Sequence, residues 1–186
     1  MFKRYILPPL VLTLICIAVS GLLAAAYDAT YVDETGVMTD KLKSACEEAA
    51  GKGDYEILLS ESGGEKTPVT FGNEEINAVI TDKERSLCLI EITEDGYSTG
   101  GLHFVVGIDD EGRVTGIGFV SCTDTPGLGS KVTEGEYLKK YEQADTKESI
   151  EKTDNVTAAT YSSKGLKKGI AKALEVFNDN REEILG

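Results

Sequence analysis

Two stretches of the chain carry the strongest hydrophobic patterns, and the patterns differ in kind. Residues 6–26 contain no charged side chain, and at helical rise these 21 residues are about 30 Å long, the thickness of a bilayer hydrocarbon core. Residues 166–177 instead repeat apolar side chains at the spacing of one helix face, which predicts an amphipathic helix against a core. The residues on that face are Leu166, Ile170, Ala173, Leu174 and Phe177.

Between these stretches the pattern changes to short strands separated by turn residues. Apolar and β-branched side chains are concentrated in residues 87–93, 102–108 and 113–120, and residues 109–112 (DDEG) form a hairpin break. The expected fold is α+β, with one antiparallel twisted sheet flanked by helices. The other predicted segments are a helix over residues 37–52, a strand over 55–59, a turn over 63–66, an ambiguous stretch over 74–81, a short helix over 133–141 and a polar connection over 146–155.

The charges around the first apolar stretch predict its orientation in a membrane. Lys3 and Arg4 precede it, and acidic residues follow it. By the positive-inside rule the N-terminus is cytoplasmic, and everything after Tyr27 lies outside the cell (inner) membrane. We therefore expect a single-pass anchor over residues 1–27 and one extracytoplasmic domain over residues 28–186. A cleaved signal peptide is the alternative, because the stretch ends in three alanines, but the stretch is longer than is usual for one.

The charge balance argues against nucleic acid as a partner. Lys3 and Arg4 are the only charged residues among the first 27, so the rest of the chain has 17 basic and 32 acidic side chains and a formal charge of −15. Such a surface repels phosphate backbones. The carboxylates are scattered without the spacing of an EF-hand loop or another cation site, so no metal site is predicted.

The cysteines and the single histidine form no recognisable catalytic or metal-binding pattern. Cys46, Cys88 and Cys122 are far apart with no C-x-x-C, which predicts neither a zinc site nor an iron–sulfur cluster. One intrachain disulfide among them and three buried thiols both remain open. His103 lies in an apolar strand and is interpreted as a structural, half-buried side chain, so hydrolase chemistry is not indicated.

A threonine-containing segment precedes the amphipathic helix. The residues from Asp154 to Ser163 read DNVTAATYSS and place the Thr160 hydroxyl just ahead of the helix. Ser162 or Ser163 is expected to start the helix by accepting a hydrogen bond from a free backbone N–H. A phosphate ester on Thr160 would lie near further free N–H groups and the positive end of the helix dipole. Taken alone, Thr and Ser at such a place are usually only caps.

A second motif lies about thirty residues upstream, where residues 124–131 read DTPGLGSK. Pro126 fixes φ, and Gly127 and Gly129 let the backbone approach a planar ligand closely. A Pro-Gly pair is also what an ordinary type II turn contains. The pairing of the two motifs is what favours a ligand site over a turn.

Together the two motifs resemble the FMN-binding domain of the G subunit of Rnf complexes and the related C subunit of Nqr complexes. In that family a S/T-G-A-T sequence carries FMN in phosphoester linkage to its last threonine. Thr157, Ala158, Ala159 and Thr160 stand at these positions here, so the resemblance implies one covalent FMN on Thr160. Ala158 departs from the usual glycine, which makes any backbone conformation with φ > 0 less favourable there.

The resemblance also implies a flavin pocket around Thr160. Thr125 and Leu128 would touch the flavin, and Tyr97 would either stack on the isoalloxazine ring or only end a strand. Lys131 would pair with the flavin phosphate or a ring carbonyl, or be a solvated surface lysine. The residues implied for this pocket beside the threonine motif are Tyr97, Ser98, Thr125, Gly127, Leu128, Gly129 and Lys131.

The function implied by the resemblance is that of a membrane-anchored electron-transfer subunit of an Rnf-type ferredoxin:NAD⁺ oxidoreductase coupled to Na⁺ or H⁺ transport. Its partners would be the other membrane and redox subunits, together with an FAD-dependent flavin transferase that attaches the FMN. An Nqr-type subunit or a free-standing extracellular flavoprotein carrier would share Thr160. A binding or structural module without a redox role would instead carry no flavin.

Overall fold

The structure is a computed structural model that describes residues 7–30, 36–62, 65–82, 84 and 86–185. The chain divides into two compact units, Met1–Glu34 and Thr35–Gly186. The described part of the first unit is one 24-residue helix, α1 (Leu7–Thr30), which is long and apolar enough to cross a membrane. Lys3 and Arg4, on which the predicted orientation rests, lie outside the described residues.

The second unit is built on a five-stranded antiparallel sheet, which confirms the predicted fold class. The strands of this unit are β1 (Glu56–Ile57), β2 (Leu59–Ser62), β3 (Glu65–Pro68), β4 (Ile76–Asp82), β5 (Leu87–Glu94), β6 (Leu102–Ile108) and β7 (Val114–Cys122). The order in the sheet is β1-β4-β5-β6-β7, and every neighbouring pair is antiparallel. A separate hairpin is formed by β2 and β3.

Helices and two 3-10 turns complete this unit around the sheet. The longest is the amphipathic helix near the C-terminus, and its predicted apolar face is buried throughout. The elements are α2 (Asp40–Ala50), a 3-10 turn (Gly129–Thr133), α3 (Gly135–Leu138), a 3-10 turn (Lys139–Tyr141), α4 (Lys147–Glu151), α5 (Thr160–Asp179) and α6 (Arg181–Leu185), so α6 follows α5 as a short terminal helix.

The two faces of the sheet bury separate cores. On one face α5 packs Leu166 and Ile170 into the larger cluster, which includes Phe104 of β6. On the other face α2 packs small side chains against Leu89 and Val105. Alternate residues of β5 and β6 therefore belong to different cores, as the two-residue period of a strand requires.

Helix α2 lies unusually close to β7 because glycines face it there. A Cβ built on Gly118 would lie 2.0 Å from the carbonyl oxygen of Ala45, and one built on Gly116 would lie 2.5 Å from that of Ala49. Any side chain at either glycine would push the helix away from the sheet. These two glycines of β7 thus serve helix packing.

Two predicted segments near the start of the second unit differ from the structure. The strand predicted over residues 55–59 breaks at Leu58, because Leu58 donates its N–H to Val79 and accepts at its carbonyl from Val69, which joins the sheet to the hairpin. The turn predicted over residues 63–66 is wrong at Glu65 and Lys66, which lie in β3, whereas Gly63 and Gly64 lie outside the described residues.

The connection between β7 and α5 is more helical, and more broken, than its sequence indicates. The helix predicted over residues 133–141 is divided at Glu134, which has an extended backbone (φ −69°, ψ 128°). The polar connection predicted over residues 146–155 contains α4, whose start is fixed by a reciprocal capping box between Thr146 and Ser149. Its single buried apolar residue, Ile150, gave too weak a period to predict a helix.

Candidate functional site

The threonine segment enters α5 without a side-chain cap. Thr160 is exposed and is the first helical residue, and Ala159 before it makes no capping hydrogen bond. The expectation that Ser162 or Ser163 starts the helix is wrong, because the helix begins before them and both are buried in its first turn. Within the described residues no side chain therefore caps the positive end of α5, which lies beside the Thr160 hydroxyl.

The two serines are bound elsewhere instead. The Ser162 hydroxyl donates to Oδ2 of Asp124 at 2.6 Å. The Ser163 hydroxyl oxygen accepts the N–H of Val156 at 3.0 Å. Both hydroxyls are therefore engaged in hydrogen bonds with Asp124 and Val156 and do not cap the helix.

Asp124 organises the site and was missed as a functional residue. Only 2% of its surface is exposed, and its Oδ2 accepts the N–H of Tyr97 at 3.0 Å while its Oδ1 accepts that of Ser98 at 2.8 Å. With the bond from Ser162, one carboxylate ties the β5–β6 loop, the β7 end and the start of α5 together. Burial raises the pKa of Asp124, but the hydrogen bonds from Ser162, Ser98 and Tyr97 outweigh it and hold the pKa below its ordinary value.

Three glycines pack so closely around Asp124 that they leave no room for a side chain. A Cβ on Gly96 would lie 2.2 Å from Oδ2, one on Gly101 2.6 Å from Oδ1, and one on Gly129 2.7 Å from the Asp124 Cβ. Gly129 thus has a packing role in addition to the ligand approach expected for it. The feature of the sequence that could have indicated the role of Asp124 is its place as the acidic first residue of the DTPGLGSK motif.

The Thr-Pro-Gly-Leu loop is a turn that also lines a cleft. The Leu128 N–H donates to the Thr125 carbonyl at 3.1 Å, with Pro126 and Gly127 between them and Gly127 at φ 74°. This is the arrangement of a type II turn. The turn directs Leu128, which is 46% exposed, to the surface beside Thr160.

Ala158 has the left-handed backbone that glycine would favour, with φ at 65°. A non-glycine residue in this region is disfavoured by contact between its Cβ and the following carbonyl, at a cost of roughly 1 to 2 kcal/mol. The departure from the resembled motif therefore falls at the one position of that motif where the structure has a positive φ.

One cleft of about 420 Å³ joins most of the predicted site residues. Its walls come from the β5–β6 loop, the Thr-Pro-Gly-Leu loop and the start of α5. Tyr161 and Ser162 also line it and were not predicted. The complete lining is Tyr97, Thr125, Leu128, Gly129, Ala158, Ala159, Thr160, Tyr161 and Ser162.

Two exposed tyrosines stand together at the mouth of this cleft. The rings of Tyr97 and Tyr161 are 6.4 Å apart and nearly perpendicular, at 70°. Their residues are 72% and 70% exposed. An exposed aromatic pair at a cleft offers flat apolar surface to a ring-shaped ligand. Tyr161 lies between Thr160 and the serines, where its sequence position alone indicated no function.

Four of the predicted residues do not line this cleft. Ser98 contributes its backbone N–H to Asp124, and Gly127 lies in the turn with its N–H donated to Ser130. Lys131 and Thr157 line a neighbouring groove of about 360 Å³ instead. Lys131 is exposed there.

The histidine and the cysteines have structural surroundings. Nε2 of His103 lies 2.7 Å from Oε1 of Glu91, and the side chain is half-buried, as expected. Cys46, Cys88 and Cys122 are free thiols, and the first two are buried whereas Cys122 is half-buried, so neither the disulfide nor three buried thiols is found. Burial raises the pKa of Cys46 to about 12, and it raises the pKa of Cys88 and Cys122 too. The described residues contain no cluster of metal-ligating side chains.

Comparison with known proteins defines the class. Residues 96–175 match the FMN-binding domain family. This range contains the β5–β6 loop, both motifs and most of α5. Over this range the chain is similar to an FMN-binding domain.

Similar proteins narrow the class further. The chain is 31% identical over 105 residues, half of each protein, to the G subunit of the ion-translocating oxidoreductase complex of Aliivibrio fischeri. It is 24% identical over 192 residues to the same subunit of Vibrio vulnificus, covering 95% of this chain and 90% of that protein. It is 26% identical over 168 residues to the G subunit of the Na(+)-translocating ferredoxin:NAD(+) oxidoreductase complex of Acetobacterium woodii, covering 80% and 78%. The resemblance to the G subunit of such complexes is confirmed.

The residues of the cleft fit an FMN. Its volume lies within the range of small-molecule sites, roughly 300 to 1,000 Å³. Tyr97, Leu128 and Tyr161 supply exposed apolar surface of the kind that a flavin ring requires. The uncapped start of α5 supplies backbone N–H groups for a phosphate, beside the hydroxyl of Thr160.

Proposed function

We propose that this protein is an electron-transfer subunit that carries one FMN in phosphoester linkage to Thr160. The observation that carries the proposal is the location of an exposed threonine hydroxyl at the uncapped start of α5, within the cleft that Thr125 and Leu128 also line. A threonine that served only as a cap would have its side chain engaged with the helix end. Thr160 is instead the first residue inside the helix.

Attachment requires an FAD-dependent flavin transferase and a balanced exchange at phosphorus. The Thr160 Oγ attacks the phosphorus on the riboflavin side of the FAD pyrophosphate. The bond from that phosphorus to the bridging oxygen breaks, AMP leaves with that oxygen, and the hydroxyl proton passes to a base of the transferase. The exposed side of Thr160 leaves the hydroxyl accessible to an enzyme.

The bound flavin would supply the electron-accepting and electron-donating chemistry. The residues of this chain would hold and orient it. The first N–H groups of α5 would bind the phosphate, Leu128 and Tyr97 would pack against the ring, and Thr125 would donate to a flavin or phosphate oxygen. Asp124 keeps the three walls of the cleft in register through its three hydrogen bonds.

The subunit would work within an Rnf-type complex that couples ferredoxin:NAD⁺ oxidoreduction to Na⁺ or H⁺ transport. Support comes from the relatives, which are named as G subunits of ion-translocating complexes, and from α1, which is apolar and long enough for a membrane anchor. The domain would lie outside the cell (inner) membrane, where covalent linkage prevents loss of FMN by diffusion. Other membrane and redox subunits would deliver and accept the electrons.

Co-expression with an FAD-dependent flavin transferase tests the linkage. Intact mass should increase by one FMN less one water in the wild type and in Thr160→Ser, which keeps a hydroxyl. Thr160→Val should show no increase and no flavin fluorescence on a denaturing gel. Thr157→Ala should incorporate less FMN than the wild type without losing it. Flavin retained by Thr160→Val would contradict the assignment.

Labelling tests the proposed orientation. A membrane-impermeant reagent applied to intact cells should modify a cysteine introduced at Val37 and leave one introduced at Lys3 unmodified, because the charge asymmetry puts these positions on opposite sides. Val37 is exposed, so its accessibility is not limited by the fold. The reverse labelling pattern would contradict the proposed orientation.

A further inference from the structure

A buried lysine lies beneath the segment that leads to Thr160. Lys167 belongs to α5, and only 6% of its surface is exposed. Its ammonium donates to the carbonyl oxygen of Glu151 at 3.4 Å and to that of Thr153 at a shorter distance. Burial of an ammonium is costly unless its hydrogen-bonding capacity is used, so these backbone contacts specify where the chain lies.

A second contact holds the same segment one turn earlier along α5. The buried Ser163 hydroxyl oxygen accepts the Val156 N–H at 3.0 Å, and the Val156 carbonyl in turn accepts the N–H of Ala159. We term residues 151–159 the attachment segment. Two buried side chains of α5, Lys167 and Ser163, thus hold this segment by hydrogen bonds to its backbone. The helix that carries Thr160 also holds the segment that precedes it.

The attachment segment is held on its inner side and open on its outer side. Val156 packs against the larger core and Ala159 is buried. The outer side exposes Asp154, Asn155, Thr157 and Ala158. The shape of the surface around Thr160 therefore depends on the buried side chains of Lys167 and Ser163, which a modifying enzyme cannot contact.

Resting on the proposed attachment at Thr160, we propose that Lys167 is a positioning residue for flavinylation. Its ammonium keeps the attachment segment in the one conformation in which the Thr160 hydroxyl is presented to the transferase. The cost of the left-handed Ala158 makes this restraint necessary, because a free segment would leave that conformation. Lys167 makes no contact with the transferase itself, since it is buried.

The test compares variants of the full chain in detergent at a temperature at which each is folded. Lys167→Met keeps the aliphatic stem and removes the donors. Lys164→Met changes an exposed lysine of the same helix and serves as the charge control. Val106→Ala removes buried side-chain volume in the same core, away from the attachment segment, and serves as the stability control. The probe is FAD with an FAD-dependent flavin transferase.

We expect Lys167→Met to lower kcat/KM for FMN incorporation roughly tenfold to a hundredfold, because a displacement of about 1 Å can cost a hundredfold in a positioned reaction. Hydrogen exchange at the Val156 and Ala159 amides should accelerate about tenfold, with exchange in β5 and β6 unchanged. Lys164→Met and Val106→Ala should be flavinylated at the wild-type rate. Lys167→Arg, which keeps the donors, should recover part of the loss.

Several outcomes would overturn the proposal. Wild-type incorporation by Lys167→Met would do so, as would an equal loss in Val106→Ala, which would mean that stability alone is measured. Should Lys167→Met fail to fold, Lys167→Gln takes its place, because its shorter side chain places the donor farther from the Glu151 and Thr153 carbonyls. Wild-type incorporation and exchange in Lys167→Gln would equally overturn the proposal. Flavin on Thr160→Val would instead refute the attachment site, so the two failures are distinguishable.

Discussion

Helices α2 and α5 pack on opposite faces of one sheet and begin in opposite ways. At α2 the Thr39 Oγ accepts the Leu42 N–H at 3.2 Å, and Asp40 adds a negative charge to the first turn. At α5 the residue before the helix caps nothing, and the first turn contains no acidic side chain. The chain enters α5 through Ala158 at a positive φ.

The difference separates a helix end that the chain's own side chains cap from one that they leave uncapped. At α2 the chain's own side chains satisfy the free N–H groups and the dipole. At α5 the Ser162 hydroxyl donates to Asp124 and the Ser163 hydroxyl oxygen accepts from the Val156 N–H, so neither caps the helix. A bound anion, such as the phosphate of the proposed flavin, would accept hydrogen bonds from the free N–H groups at the start of α5.

Removing the Asp124 carboxylate should break the α5 site most severely. In Asp124→Ala, three donors lose their acceptor in a buried place, and we expect a loss of about 3 kcal/mol in the free energy of unfolding together with much reduced FMN incorporation. Urea denaturation and intact mass measure the two effects. Asp54→Ala, which removes an exposed carboxylate elsewhere, is the control and should change neither.

The Asp124 contribution should also depend on pH with a defined sign. Because its pKa in the folded protein lies below the ordinary value of 3.8, its stabilisation is present above that value and is lost as pH falls through the lower folded pKa. The stability difference between the wild type and Asp124→Asn should therefore be constant at neutral pH and shrink below about pH 3.8. A difference that grew on acidification would contradict this account.

A charge at Leu128 tests whether the cleft beside α5 holds the flavin. Leu128→Asp places an anion beside the ring, which opposes electron uptake, so the midpoint potential of the flavinylated protein should fall. A unit charge at 4 Å contributes between about 1 kcal/mol in water and about 4 kcal/mol at an effective dielectric constant of 20, and the open cleft favours the lower value. Leu59→Asp, at another exposed leucine, should leave the potential unchanged.

Removing the cap of α2 sharpens the comparison from the other side. Thr39→Ala should lower the free energy of unfolding by about 1 kcal/mol, as loss of an N-terminal cap does. It should leave FMN incorporation unaffected, because α2 lies on the face of the sheet away from α5. Thermal denaturation and flavin fluorescence measure the two quantities. Loss of flavin in this variant would mean that the two helix ends are not independent.

Ala158→Gly should produce the smallest effect, and in the stabilising direction. Glycine tolerates φ at 65°, so the variant should gain roughly 0.5 to 1 kcal/mol after the greater entropy of the unfolded chain is subtracted. Ala49→Gly, within α2, should instead lose stability by about 1 kcal/mol or more, because helix propensity and packing both fall. Equal changes at the two positions would contradict the role of the positive φ.

Local sequence predicted the elements whose periods are long or continuous. The β6 bounds agree with the prediction, and the apolar face of α5 is buried as its spacing required. The short elements were poorly predicted, because α4 contains one buried apolar residue and the strand around Leu58 serves two partners. A short element acquires its conformation from what it contacts, and a one-dimensional pattern does not contain those contacts.

The sequence by itself determined the amphipathic α5, the apolar α1 and the two motifs that carry the resemblance to FMN-binding subunits. Only the tertiary structure decided how those motifs work together. In the folded protein Ser162 and Ser163 form tertiary hydrogen bonds instead of capping α5. The ring of Tyr161 lies beside that of Tyr97, and Asp124 connects three segments by hydrogen bonds. Residues far apart along the chain compete for the same donors and acceptors, and that competition is resolved only when folding brings them within hydrogen-bonding distance.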